Sequence, residues 1–376
     1  LARSTLDVEG RPSVAAVSDV QIEAGHTPDV GALSIPRTQP AAAGPRLLVP
    51  GLVFVSVLAG LATVVGRLVP VVGAPVIAIL GGIIVSLVTK PSERLKPGVV
   101  FSSKKVLQGS IVLLGSGLSV GQVLSTGARS LPVLLGTLAA ALGMAWLGGR
   151  LLGSQGDVST LIGVGTAICG ASAIAATDAV IDADEADVSY AIATIFTFNV
   201  VAVLCYPSLG HVLGLSQHTF GLWAGTAIND LSSVVAASTV YGHAAASYGV
   251  VVKLTRTLAI IPICLGLAAI RGRRHRAPAD ARASGKVEWR RIVPMFIPFF
   301  VVAVAANTLG LVPAGWHRPL SDLSTWMITA ALAAIGLSTD ISQIRRAGPK
   351  PLALGAVLWL TVGLTSLGLQ ALTGTM

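Results

Sequence analysis

The chain has 376 residues, of which 53% are hydrophobic and only 11% charged, and its mean hydropathy is +0.78. A soluble domain carries roughly 25% charged residues, so these values exclude a water-soluble globular protein and point to repeated passage through a lipid bilayer. The formal net charge of +9 could suit nucleic acid, but the basic residues fall mainly between apolar runs, where they set membrane orientation; no nucleic-acid partner is expected.

Residues 1–45 differ in kind from the rest. Pro12, Pro28, Pro36, Pro40 and Pro45, scattered charges and the lack of sustained periodicity predict a disordered cytoplasmic tail. It has no early apolar core leading to a cleavage site, so it does not read as a secretory signal. From residue 46 to the end the pattern is apolar runs punctuated by charge, a single transmembrane transporter domain. The runs cover 47–66, 75–89, 106–128, 130–149, 158–177, 188–210, 219–242, 250–270, 292–311, 323–339 and 351–373. Crossing takes roughly 20 helical residues, so the second run is short and the tenth marginal. The fold class expected is an all-α polytopic membrane protein of about eleven transmembrane helices, with inverted repeats and two broken helices.

Orientation follows from the loops. Lys90, Arg94, Lys96, Lys104 and Lys105 lie between the second and third runs. The segment 271–291 is strongly basic and lies between the eighth and ninth. Arg345, Arg346 and Lys350 lie between the tenth and eleventh. With eleven crossings all three fall on one side, which positive-inside asymmetry makes cytoplasmic. The N-terminus is then inside, and the acidic loop 178–187 is outside.

Two internal echoes stand out. Leu114-Gly115-Ser116-Gly117-Leu118-Ser119 resembles Ala333-Ala334-Ile335-Gly336-Leu337-Ser338, 219 residues later (Gly117 against Gly336). Each is followed by a short polar segment and a long apolar run. By counting, the two units have opposite topology, the arrangement of inverted-repeat secondary transporters. The second echo is central. Gly165-Thr166-Ala167-Ile168-Cys169-Gly170-Ala171-Ser172 and Gly225-Thr226-Ala227-Ile228-Asn229-Asp230-Leu231-Ser232-Ser233 share Gly-Thr-Ala-Ile inside long uncharged runs. Small and polar residues there suit either close helix packing or a break whose backbone lines a cavity. Counting runs gives these two spans the same direction, which strict inversion would not.

Asp230 is the one carboxylate placed deep in an apolar run. A charge at mid-membrane costs about 2.5–3.5 kcal/mol or more, so it is expected to face a cavity or to cap a half-helix by accepting from Ser232 or Ser233 N–H. A break at Gly170 would free the N–H groups of Ala171, Ser172 and Ala173 as an anion site. Lys253, Thr255 and Arg256 form a basic face at helical spacing. Two readings stay open for Lys253 and Arg256: snorkelling to headgroups, or attracting an anion at the mouth of the site. Asn199 and Asn307 are read as interhelical hydrogen-bond partners. The candidate substrate- or ion-binding set is therefore Thr166, Cys169, Gly170, Ser172, Thr226, Asn229, Asp230, Ser232, Ser233, Lys253 and Arg256.

Cys169, Cys205 and Cys264 lie in apolar runs without metal-ligand spacing, so neither a disulfide nor a metal site is expected. The six histidines fall in the tail or between the apolar runs, where loops are expected, and no Walker-type loop is present. No catalytic residue and no cofactor are expected. Three readings compete: a secondary transporter of a small anion, a cation/proton antiporter with Asp230 as carrier, and an intramembrane enzyme. The partners expected are the bilayer, a small anion and H+ or Na+ as coupling ion, with a homo-oligomer left open.

The stretch 168–173, the stretch 229–237 and Val252-Lys253-Leu254-Thr255-Arg256-Thr257 together resemble a family of bacterial inner-membrane proteins called sulfate exporters, otherwise labelled conserved hypothetical. The resemblance runs from about residue 47 to the C-terminus. It implies a multi-pass anion transporter of the cell inner membrane. Some members carry His-Glu where this chain has Asn229-Asp230, so the carboxylate persists and the imidazole does not. The layout is also similar to the bile acid and arsenite transporter superfamily, which implies inverted repeats with crossed broken helices.

Overall fold

The computed structural model describes residues 45–68, 73–89, 92–151, 156–274, 296–339 and 348–375. The side chains of 45–46 and 268–274 lie outside that description. So do most of the tail expected over 1–45, Lys90, Arg345 and Arg346, and the basic segment beyond residue 274. Among the described residues there is no strand. The helices are α1 Pro45–Leu68, α2 Gly73–Val88, α3 Lys96–Phe101, α4 Leu107–Gly115, α5 Val120–Leu151, α6 Asp157–Ala167, α7 Ala171–Ile181, α8 Glu185–Val212, α9 Gln217–Ala227, α10 Leu231–Tyr241, α11 His243–Thr257, α12 Ile260–Arg274, α13 Phe296–Thr308, α14 His317–Leu337 and α15 Pro349–Leu372. A π-helical turn, Ser102–Val106, joins α3 to α4.

Among the described residues, six helical spans are long and apolar enough to cross a membrane: Leu47–Leu68, Val120–Leu151, Glu185–Val212, His243–Leu267, Ala314–Leu337 and Pro349–Leu372. The other runs appear as shorter apolar helices or as half-helices meeting at a break. The protein is an all-α polytopic membrane protein.

Two run boundaries need correction. Arg129 does not separate two helices. It lies within the 32-residue α5, and the chain breaks earlier, at 116–119. The signal is a reciprocal cap: Ser119 N–H donates to Gln122 Oε1 (2.9 Å), and Gln122 N–H donates to Ser119 Oγ (3.2 Å). That is the S-x-x-Q capping box. The eighth run starts too late, because the helix begins at His243. Lys253 and Arg256 therefore sit near the middle of a 25-residue span, not at its entrance.

The helices sort into two packed groups. Helices α1, α2, α3, α4, α13 and α14 pack on one another, with Val55, Ala59, Ile79, Ile111, Phe300 and Ala331 in their shared interior. Helices α5 to α9, α12 and α15 form the second group, built around Ala141, Ala167, Ile168, Tyr206, Phe220 and Trp223. Helices α10 and α11 contact both groups. Both Gly-Leu-Ser echoes lie where the chain leaves the first group for the second, one just before α5 and one at the C-terminal end of α14. The helices that follow, α5 and α15, pack together.

Without a hydrophobic drive inside lipid, helices associate by close backbone approach. At the α2–α14 crossing a Cβ on Gly82 would lie 2.9 Å from Leu337 N and 3.0 Å from Gly336 Cα. The obstacle is backbone, which cannot swing aside. Gly82→Leu is expected to cost about 1–3 kcal/mol or more by overpacking, read as lowered thermal stability in detergent. Gly60→Leu, where nothing lies within 4 Å, should leave stability within about 0.5 kcal/mol of the parent.

Candidate substrate site at two helix breaks

The two central stretches fold alike. Asp157–Ala167 and Gln217–Ala227 are 11-residue helices starting 60 residues apart (157 and 217). Each is followed by a three-residue break, 168–170 and 228–230, and then by a second 11-residue helix. The breaks touch: a Cβ on Gly170 would lie 3.6 Å from Asp230 Cβ. Gly170 has φ +70°, a conformation disfavoured for residues with a side chain. This lets the chain turn sharply out of α6 and restart as α7.

A helix end leaves carbonyls without partners, and inside a membrane those must be satisfied by protein or a lined cavity. At the first break Val164 C=O accepts from Ile168 N–H (3.0 Å) and Gly165 C=O accepts from Gly170 N–H (2.9 Å). Two cations from α11 take the rest. Arg256 donates to Thr166 C=O through Nη2 (2.7 Å) and to Ala167 C=O through Nε (2.6 Å), and Lys253 Nζ donates to Ile168 C=O (2.9 Å). At the second break Arg256 Nη1 donates to Thr226 C=O, and Lys253 Nζ donates to Ile228 C=O (2.7 Å). Each cation thus bridges corresponding carbonyls of the two echoes: Thr166 with Thr226, and Ile168 with Ile228. Both side chains are 0% exposed. This corrects both readings of the pair: the buried side chains turn inward to the break carbonyls, so they neither snorkel to headgroups nor stand at the mouth of the cavity. A positive charge is favourable at a helix C-terminus, and here it serves two.

The opposite ends of the breaks face a cavity of about 440 Å³ between the two helix groups. The broken spans contribute Cys169, Ser172, Asp230 and Ser232. The first group contributes Ser103, Lys104, Gln108 and Ser338, and Leu254 and Thr257 come from α11. Asp230 caps α10, accepting from Ser232 N–H (3.0 Å) and from Ser232 Oγ. Its own N–H donates to Asn199 Oδ1 on α8 (3.3 Å). Gly170 gives α7 no side-chain cap, and Ala171 and Ser172 are exposed.

Of the candidate set, the structure brings Cys169, Ser172, Asp230 and Ser232 to the cavity, while Gly170 is buried in the first break and does not line it. Thr166, Thr226, Lys253 and Arg256 lie behind the breaks. Thr226 Oγ1 bonds Leu222 C=O and Ser366 Oγ, each at 2.7 Å. Asn229 is buried in the second break and Ser233 is on α10, neither lining the cavity. Asn199 and Asn307 do bond between elements, Asn307 Nδ2 donating to Leu118 C=O (3.1 Å). The three cysteines are free. Sequence reasoning missed Lys104, Gln108 and Ser338 as cavity residues. The i,i+4 spacing of Lys104 and Gln108 was a signal for them, but the π-helical turn that aims them had none.

Residues 50–355 match the family described as Conserved hypothetical protein 698. The chain belongs to that family. It is 42% identical over 332 residues to a UPF0324 membrane protein of Streptococcus pyogenes serotype M6, covering 86% of this chain and 97% of the relative. It is 41% identical over 332 residues to one from Streptococcus mutans serotype c, with the same coverage. It is 43% identical over 317 residues to one from Streptococcus pneumoniae serotype 4, covering 82% and 92%. No solved structure matches the chain. The Conserved hypothetical protein 698 match spans both breaks, both cations of α11 and the cavity wall around Lys104.

Proposed function

We propose that this protein is a secondary transporter of a small anion, a sulfate, sulfonate or carboxylate, in the cell inner membrane with its N-terminus cytoplasmic. The observation that carries the reading is the cavity itself. Two half-helix N-termini, Lys104 and the serines Ser103, Ser172, Ser232 and Ser338 line about 440 Å³ between two packed helix groups. Helix N-termini favour anions, and that volume lies within the range of small-ligand sites. Broken helices whose dipole ends address a solute near the midplane are a recurrent transporter device.

Among the described residues, Asp230 is the one carboxylate lining the cavity. Ionised, it occupies the positive end of α10 that an anion would use. Protonation removes the competing charge, so the coupling ion is H+ and transport runs faster at lower pH on the side where Asp230 is accessible. The export direction of the family resemblance is retained. Purified protein in proteoliposomes should move at least one of labelled sulfate, sulfite, taurine or a small carboxylate above empty vesicles, with a rate that responds to an imposed pH gradient. Flux of none of these, alongside monovalent cation flux abolished by Asp230→Asn, would instead favour the antiporter reading.

A further inference from the structure

Five backbone carbonyls from the two breaks converge on Lys253 and Arg256: those of Thr166, Ala167, Ile168, Thr226 and Ile228. In transporters with discontinuous helices, unwound carbonyls and half-helix C-termini are where the coupling cation is held. In this chain those carbonyls are already taken by charges covalently tethered to α11. We infer that Lys253 and Arg256 are a built-in substitute for a coupling cation, so the breaks are held closed without Na+ and transport is independent of it.

The geometry meets what such a substitute requires. The two cations stand at i and i+3 on one helix face and are fully buried. Lys253 Nζ joins the two Ile carbonyls at 2.9 and 2.7 Å, one from each break. Arg256 has five N–H donors in a fixed fork and spans three carbonyls on the same two elements. A bound Na+ would have to displace groups that are both charged and hydrogen-bonded. The two copies of Gly-Thr-Ala-Ile thus present corresponding carbonyls, those of the Thr and the Ile, to the same pair of cations. The inference takes its meaning from the transporter reading, but its test needs no transported solute, so the two fail separately.

The test is thermal unfolding of the purified full chain in detergent, with chloride salts of Na+, methylammonium and choline compared at equal ionic strength. Wild type is expected to show the same Tm in all three. Lys253→Ala removes the ammonium with its methylene stem and leaves two carbonyls facing the vacancy. Its Tm should fall below wild type and then rise saturably by roughly 5 °C with Na+ or methylammonium at 100-fold over half-saturation. Choline, too bulky to enter, should leave it low. Lys253→Arg, which keeps a tethered charge, should not respond to Na+. A wild-type Tm raised by Na+ over choline overturns the inference, and that arm stands even where Lys253→Ala fails to fold. A folded Lys253→Ala that keeps the wild-type Tm, or that no small cation restores, overturns it as well.

Discussion

Arg256→Met is expected to destabilise the folded protein by about 3–5 kcal/mol, because three buried carbonyls lose their donor and each unsatisfied acceptor costs about 1–3 kcal/mol. The methionine fills much of the volume, so the loss is of hydrogen bonds and charge, not of packing. The effect is large beside a total stability of about 5–15 kcal/mol. Arg256→Lys should recover less than half of it. A single ammonium on a shorter stem cannot reach carbonyls of Thr166, Ala167 and Thr226 at once, and Lys lacks the planar fork. Denaturant or thermal unfolding in detergent measures both variants, with Arg318→Met as control. Arg318 is exposed at the start of α14, and its loss should change stability by no more than about 0.5 kcal/mol. Equal stability of Arg256→Met and wild type would mean that the carbonyls find other partners, and the bridging role would fall.

That buried pair also shows where sequence reasoning reached and where it stopped. Lys253 and Arg256 at helical spacing were legible as one face. Their depth was not, since His243, Ser247 and Tyr248 dilute the first two turns of α11 and moved the apparent start of the span to residue 250. The breaks at 168–170 and 228–230 were legible because Gly, Asn and Asp in apolar runs have few other uses, and the Asp230 cap on Ser232 followed from N-cap chemistry. Which side of each break faces water was not legible. It depends on the rotation of four half-helices, and small residues on every face give almost no amphipathic signal. Arg129 misled for the complementary reason: one charge in a helix of Ala, Leu and Gly reads as a loop, while the cap at Ser119 and Gln122 is a weaker pattern. The cavity wall from Ser103, Lys104 and Gln108 depends on a π-helical turn, which adds a residue to one turn and re-aims side chains. Nothing in residues 102–106 announces it.

Asp230→Asn is expected to separate stability from pH response, and its effect on the anion is the second large one. Asn is about as good an N-cap as Asp, so its side chain still accepts from Ser232 N–H and stability should stay within about 0.5 kcal/mol of wild type. The charge is gone, however. Two negative charges ~6 Å apart at an effective dielectric of about 20 repel by roughly 2–3 kcal/mol, so removing one should tighten anion binding at neutral pH by roughly 30- to 160-fold. Flux should lose its acid stimulation, because there is no longer a proton whose binding clears the α10 N-terminus. Among the described residues, the other ionisable groups nearby are Lys104 and Cys169, which line the cavity, and Lys253 and Arg256 behind the breaks. Cys169→Ala, tested in parallel, therefore should keep the wild-type pH profile. Asp230→Ala removes the cap as well and should lose about 1 kcal/mol of stability, which separates the capping role from the charge. Should Asp230→Asn keep the wild-type pH profile, the carboxylate is a cap and nothing more, and the coupling proton must bind elsewhere. Should it abolish anion flux at every pH, the charge is needed for transport itself, which the competition argument does not allow.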